Sequence, residues 1–191
     1  MSFGERVSPV AAIQAILHDY PYSASILREL LQNSDDAGAT KQVRVRWLSL
    51  ATDSTHHAYI YKGVRPAFIA YNDSEFQEPD WEAIQSIHES SKQADTSKIG
   101  KYGVGFRACY HITDQPQILS GSSIAVLDPL HSNGEKIEYE KFKTKQYCKD
   151  FDFFSRFAST MFNPNSFTGT AIRLPLRSTR SELSQRVVTV V

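Results

Sequence analysis

A charge of either sign in excess is the first thing this chain lacks. Twenty-one Lys and Arg against twenty-one Asp and Glu leave a formal net charge of zero. With no basic stripe along any segment, nucleic-acid binding is not expected. Cysteine is scarce: Cys109 and Cys148 have neither metal-ligand nor redox spacing, so a disulfide framework is excluded and a reducing compartment is the default. The chain does not open on a charged segment followed by an apolar run. Nor does any apolar stretch approach the roughly 20 residues that cross a bilayer, so no membrane partner is expected. Internal repeats and low-complexity tracts are missing too. These absences point to a soluble domain, expected in the cytoplasm with the nucleus left open. An apolar share of 41% and an aromatic share of 12% over 191 residues are ample for a core. That length favours one domain, residues 1–176, with a C-terminal tail, 177–191, that reads as the start of a truncated further region.

Along the chain, Ser8-Pro9 predicts a helix to about Asp19, with Ser8 as N-cap and Val10, Ile13, Ile16 and Leu17 at helical spacing. A second helix follows from about Ser23 and is stopped by Gly38. Alternation from Gln42 to Leu50 predicts a half-buried strand, Tyr59-Ile60-Tyr61 a short one, and Ala67 to Tyr71 another. Pro79 starts a helix to about Glu89, and an apparent helix ends near His111. Strands are expected near 117–120, 123–128 and 136–140, a helix over Asp152–Met161, and a final strand over Gly169–Leu174. Helices and strands interleave without regular βαβ alternation. The fold class expected is therefore α+β, a two-layer sandwich of a mixed or antiparallel sheet with helices on one face.

Three polar residues on the second helix stand out. Glu29, Asn33 and Asp36, at i, i+4 and i+7, fall within an arc of roughly 60°. Ile26, Leu27, Leu30 and Leu31 occupy the neighbouring arc, so the trio borders an apolar stripe. Such a trio is ordinarily just the wet side of a helix; three downstream segments argue otherwise. Gly100, Gly103 and Gly105 form GxxGxG before a helix, where glycine lets backbone approach a phosphate and the helix start offers unpaired N–H groups. It is neither a Walker loop nor in a Rossmann position. Asp73 lies just past an apolar strand, placed to accept from an exocyclic amine, and Thr170 opens the last strand after Gly169.

In this order the segments resemble the Bergerat ATP-binding fold of gyrase, heat-shock protein 90, histidine kinases and MutL (the GHKL superfamily). Leu27–Asn33 resembles its N-box and Ile99–Phe106 its second glycine box. The narrower resemblance is to the sacsin-type repeat domain, carried by Leu30–Ala39, Tyr71-Asn72-Asp73, Lys98–Phe106 and Tyr110–Asp114, and continued by Gly121 and Leu127-Asp128-Pro129. The resemblance implies ATP or ADP with Mg²⁺ as cofactors. It implies Glu29 as the general base for water, worth about 10²–10⁴ in rate, and Asn33 as the Mg²⁺ ligand. Asp73 would fix the adenine amino group with Thr170 and Asp36 in support. Gly103, Gly105 and Phe106 would hold phosphates by backbone N–H, with Gly100, Val104 and Ala37 in the same lining and Lys98 as a counter-charge.

The departures matter as well. Asp73 is followed by Ser74-Glu75-Phe76 where relatives carry a glycine, so Phe76 is expected to fill part of the adenine side. The segment between Glu89 and Gly100 is only about ten residues, a short lid. The resemblance therefore implies a weak, Mg-dependent ATPase module of a chaperone-related protein, with protein clients or co-chaperones as partners. The alternative is a nucleotide-sensing or scaffolding domain without turnover. A histidine kinase is disfavoured because no phosphoacceptor helix is visible, and a topoisomerase or repair role because no basic groove is. Oligomeric state is left open.

Overall fold

The computed structural model describes residues 8–20, 22, 25–47, 66–85, 105–131, 134–138, 162–163 and 166–188. The expected strand at 59–61 and helix at 152–161 lie outside them, as do Lys98, Gly100, Gly103 and Val104.

Helix α1 spans Pro9–Asp19 and α2 Ser25–Asp36. Ser8 is extended and its carbonyl takes the Ala12 N–H, but its hydroxyl makes no capping bond. Proline at the first position thus starts α1 without the expected side-chain cap. Helix α2 ends where the sequence says. Gly38 has φ +69°, and Gly38 and Ala39 N–H donate to Asp35 and Ser34 carbonyls at 2.8 and 3.0 Å, a Schellman closure that needs a left-handed residue.

Seven strands are described: β1 Gln42–Trp47, β2 Ala67–Asn72, β3 Gln117–Gly121, β4 Ser123–Val126, β5 Glu135–Glu138, β6 Phe162–Asn163 and β7 Ser166–Pro175. Between β2 and β3 come α3, Glu78–Gln85, and a 3-10 helix, Gly105–His111. The sheet order is β1-β2-β7-β3-β4-β5 with β6 beside β7, and every described pairing is antiparallel. The last strand, β7, thus lies at the middle of the sheet.

Register decides which face the helices take. Ala70 pairs Ile172, Ile172 pairs Ile118, and Ile118 pairs Ala125, a row of side chains on one face. This row is buried in one cluster with Ile13 and Leu17 of α1, Ile26 and Leu30 of α2, and Trp81 and Ile84 of α3. The described helices therefore share one face of the sheet. On the opposite face Ile69, Leu119, Ile124 and Ala171 are buried as well, consistent with strands apolar on both sides.

One sequence expectation shifts. Leu27 and Leu31 are exposed, and the buried stripe of α2 runs Ile26, Leu30, Asn33 and Ser34. The polar pair is thus inside the stripe rather than at its edge. Residues 176–188 pack on the domain: Leu176 and Leu183 are buried, and Leu176 N–H donates to the Pro66 carbonyl at 2.7 Å. Among the described residues no helix is long and apolar enough to cross a membrane.

Candidate functional site

Helix α2 packs against the 3-10 helix, and this packing brings the two halves of the sequence pattern together. The Glu29 carboxylate lies directly over Gly105, where a Cβ would collide with its carboxyl oxygens. A larger residue there would oblige the Glu29 side chain to swing aside, and Phe106 beside it is buried in the core. Burial raises the Glu29 pKa above the ordinary glutamate value, opposed by the neighbouring Arg28 charge. A carboxylate shifted that way is a better proton acceptor than a fully hydrated one. One turn on, Asn33 is 3% exposed, and among the described residues its Nδ2 has no hydrogen-bond partner. Buried carboxamides are normally satisfied, so this orphan donor marks a place where a polar group belongs.

The region around the end of β2 is organised by a hydroxyl network that the sequence did not flag. The Ser34 hydroxyl donates to the Leu30 carbonyl (2.9 Å) and accepts from Gln42 Nε2 (2.8 Å) and Asn72 Nδ2 (3.2 Å). The Thr170 hydroxyl donates to the Ser74 carbonyl at 2.8 Å and meets the Ser120 hydroxyl at 2.7 Å. Ser120 in turn accepts the Phe76 N–H at 2.8 Å. Ser34 and Ser120 gave no sequence signal, because a serine beside Asn33 and Asp35, or just before Gly121, reads as an ordinary polar or turn residue. Asn72 could have been found, since it follows Tyr71 at the same strand end as Asp73.

Asp73 faces the α2–β1 turn. Its Oδ1 accepts from Thr40 and Lys41 N–H at 2.8 and 2.9 Å, and its Oδ2 from the Thr40 hydroxyl at 2.5 Å. An ionised carboxylate offers about four acceptor positions, so one stays available on Oδ2. Phe76 is buried edge-on to Trp81, ring centroids 4.9 Å apart, and Asp36 is exposed. The Ala37 carbonyl accepts the Ser74 hydroxyl at 2.8 Å. Asp73 and Thr170 thus approach each other through Ser74 rather than by direct contact.

The Thr40 hydroxyl first, then the backbone N–H groups, hold the Asp73 carboxyl below its usual pKa. A depressed value means that this turn stabilises the fold above the ordinary aspartate range, and that the contribution is lost as pH falls through the lowered value. Melting temperature followed downward from pH 6 should therefore fall less steeply in Asp73→Asn than in the unaltered chain. Equal slopes would remove Asp73 from the acid response.

Among the described residues no cluster of three or more His, Cys, Asp or Glu could hold an ion. Mg²⁺ commonly takes one or two protein oxygens beside phosphate and water, and the Asn33 carboxamide oxygen can supply one.

Comparison with known proteins places this geometry in a family. A family model described as Sacsin domain matches residues 7–190. Human sacsin is 36% identical over 202 aligned residues, covering 97% of this chain and 4% of the human protein. The chain thus spans a small part of that relative's length. By the match over residues 7–190, the chain belongs to the Sacsin domain family.

Proposed function

We propose that this domain binds ATP with Mg²⁺ and hydrolyses it slowly, as the nucleotide module of a chaperone-related protein of Bergerat type. The observation carrying the reading is the Glu29 carboxylate seated over Gly105, one turn from the buried Asn33 with its orphan donor. In this reading Asn33 holds the metal, which when bound offsets charge on the phosphates. Glu29 orients the attacking water and takes its proton on a carboxylate oxygen, as the bond from the γ-phosphorus to its bridging oxygen breaks. Asp73 uses its remaining Oδ2 position for the adenine amine.

Glu29→Ala is expected to reduce turnover about 100-fold or more while leaving ATP affinity nearly unchanged. Asn33→Ala is expected to weaken Mg-ATP binding about tenfold or more. Turnover by the unaltered chain should rise with pH along a limb above the ordinary glutamate range, following the raised Glu29 pKa. Steady-state phosphate release across pH, with calorimetry in Mg²⁺ or EDTA, reads all three. Undiminished turnover in Glu29→Ala, or undiminished binding in Asn33→Ala, would reject the role concerned.

A second reading, a scaffold or sensor without turnover, is favoured by the adenine side. Thr40 and Lys41 already occupy most of Asp73, and Phe76 is committed to the core. Calorimetry with ATP, ADP and a non-hydrolysable analogue singles out a scaffold, which takes up none of them at millimolar concentration, and phosphate release singles out a sensor, which binds without turnover.

A further inference from the structure

Apart from Glu29 and Asn33, neither of which lines it, a cavity of about 340 Å³ opens between α3, the end of β4 and the start of β5. Trp81, Ile84, Ala125 and Leu127 give it apolar walls. Arg107, two residues beyond Gly105, also lines it and is 1% exposed. Among the described residues neither Nε nor Nη2 of Arg107 has a hydrogen-bond partner. Two acids line the same cavity, Asp128 and Glu135. The Asp128 carboxylate is engaged by Gln115 Nε2 at 3.0 Å and His131 Nδ1 at 2.9 Å. At the edge, Lys136 lies 4.7 Å over the Trp81 ring and 3.6 Å from Glu78.

Burial lowers the Arg107 pKa, but a guanidinium stays charged at neutral pH. An enclosed charge with unmade hydrogen bonds calls for a counter-anion. The two orphan donors identify its shape. Nε and Nη2 share one edge of the guanidinium, and their parallel N–H bonds match the two oxygens of a carboxylate. The volume is near the lower end for small-molecule sites, which limits the apolar body to a short chain or a single ring.

We propose that this cavity binds a small, largely apolar monocarboxylate, its oxygens on Nε and Nη2 of Arg107 and its body against Trp81, Ile84 and Ala125. The site is separate from that of Glu29 and Asn33, and it stands or falls independently of nucleotide binding.

Titration calorimetry of the 191-residue chain with phenylacetate and phenylacetamide tests it, because the amide keeps the shape and loses the charge. Phenylacetate should bind at least about tenfold more tightly than the amide. Arg107→Met should abolish that binding, and Arg107→Lys should retain a fraction, since an ammonium has the charge without the fork. Asn33→Ala should leave it unchanged. Equal affinity for the amide, undiminished binding in Arg107→Met, equal displacement by inorganic phosphate, or no uptake at about 10 mM phenylacetate would each overturn the proposal. The carboxylate–amide comparison uses the unaltered chain, so it decides even where a variant fails to fold.

Discussion

Arg177→Met should destabilise the chain by about 3–5 kcal/mol, the usual result of removing one member of a buried ionic network. Arg177 is the opposite of Arg107: every nitrogen of its guanidinium is used. Nη2 donates to the Tyr110 and Thr113 carbonyls at 2.7 and 2.9 Å and to Asp114 Oδ1 at 2.6 Å. Nη1 reaches the His111 carbonyl at 3.0 Å, and Nε reaches Asp114 Oδ1 at 2.8 Å. Tyr110 and His111 end the 3-10 helix, whose last carbonyls have no partner within the helix. A cation there also meets the negative end of the helix. Methionine fills similar space but leaves these acceptors and the Asp114 charge uncompensated. Urea unfolding should show the midpoint shifted with an unchanged slope; a loss below about 1 kcal/mol would mean that water replaces the guanidinium without penalty. By contrast, Arg107→Met should cost much less, because among the described residues Nε and Nη2 of Arg107 have no hydrogen-bond partner to lose and a buried charge is removed.

Gly169→Ala should cost about 3 kcal/mol or more, for two separable reasons. Gly169 has φ +96°, where an L side chain is strained. A Cβ there would also run into the Asn72 carbonyl oxygen and come within 2.8 Å of Tyr71 Cε2. Asn72 O is backbone of the adjacent strand β2 and cannot swing aside as a side chain can. The pairing of β3 with β7 shifts register at this point, Ser120 facing Thr170 but Gly121 facing Phe167, so the glycine occupies a bulge. Gly38→Ala is the control. It has φ +69° with nothing within 4 Å of a Cβ, and should cost only the conformational share, about 1–2 kcal/mol. If the two variants melt alike, the contact with β2 contributes nothing. Since Thr170 follows Gly169 and bonds Ser74 and Ser120, Gly169→Ala should also disturb that hydroxyl network.

The local punctuation was legible in the sequence, and the long-range pairing was not. Pro9 and Gly38 mark their helix ends through constraints that act within a few residues, so composition reveals them. The spacing of Glu29 and Asn33, with the glycines downstream, suggested which residues belong near one another; of those glycines the described residues hold Gly105, which lies under the Glu29 carboxylate. Strand order depends on contacts a hundred residues apart, and no local period encodes it. The apolar count on α2 misled for a related reason. Leu27 and Leu31 are as hydrophobic as Leu30, but the sheet and the 3-10 helix accept the face centred on Ile26, Leu30, Asn33 and Ser34. Arg177 was hidden in a polar stretch that reads as tail, because its value lies in carbonyls the sequence does not advertise.

The place of β7 bears on how the chain is made. It joins β2 to β3 at the centre of the sheet, yet it ends at Pro175. During synthesis, β1–β2 and β3–β4–β5 emerge as two ribbons, each with the edge meant for β7 still bare. Unpaired edges recruit foreign strands, and closure over so long a span is slow. A nascent chain stalled ahead of Pro175 therefore has two sticky sheets and no keystone, and this domain is most vulnerable just before β7 emerges.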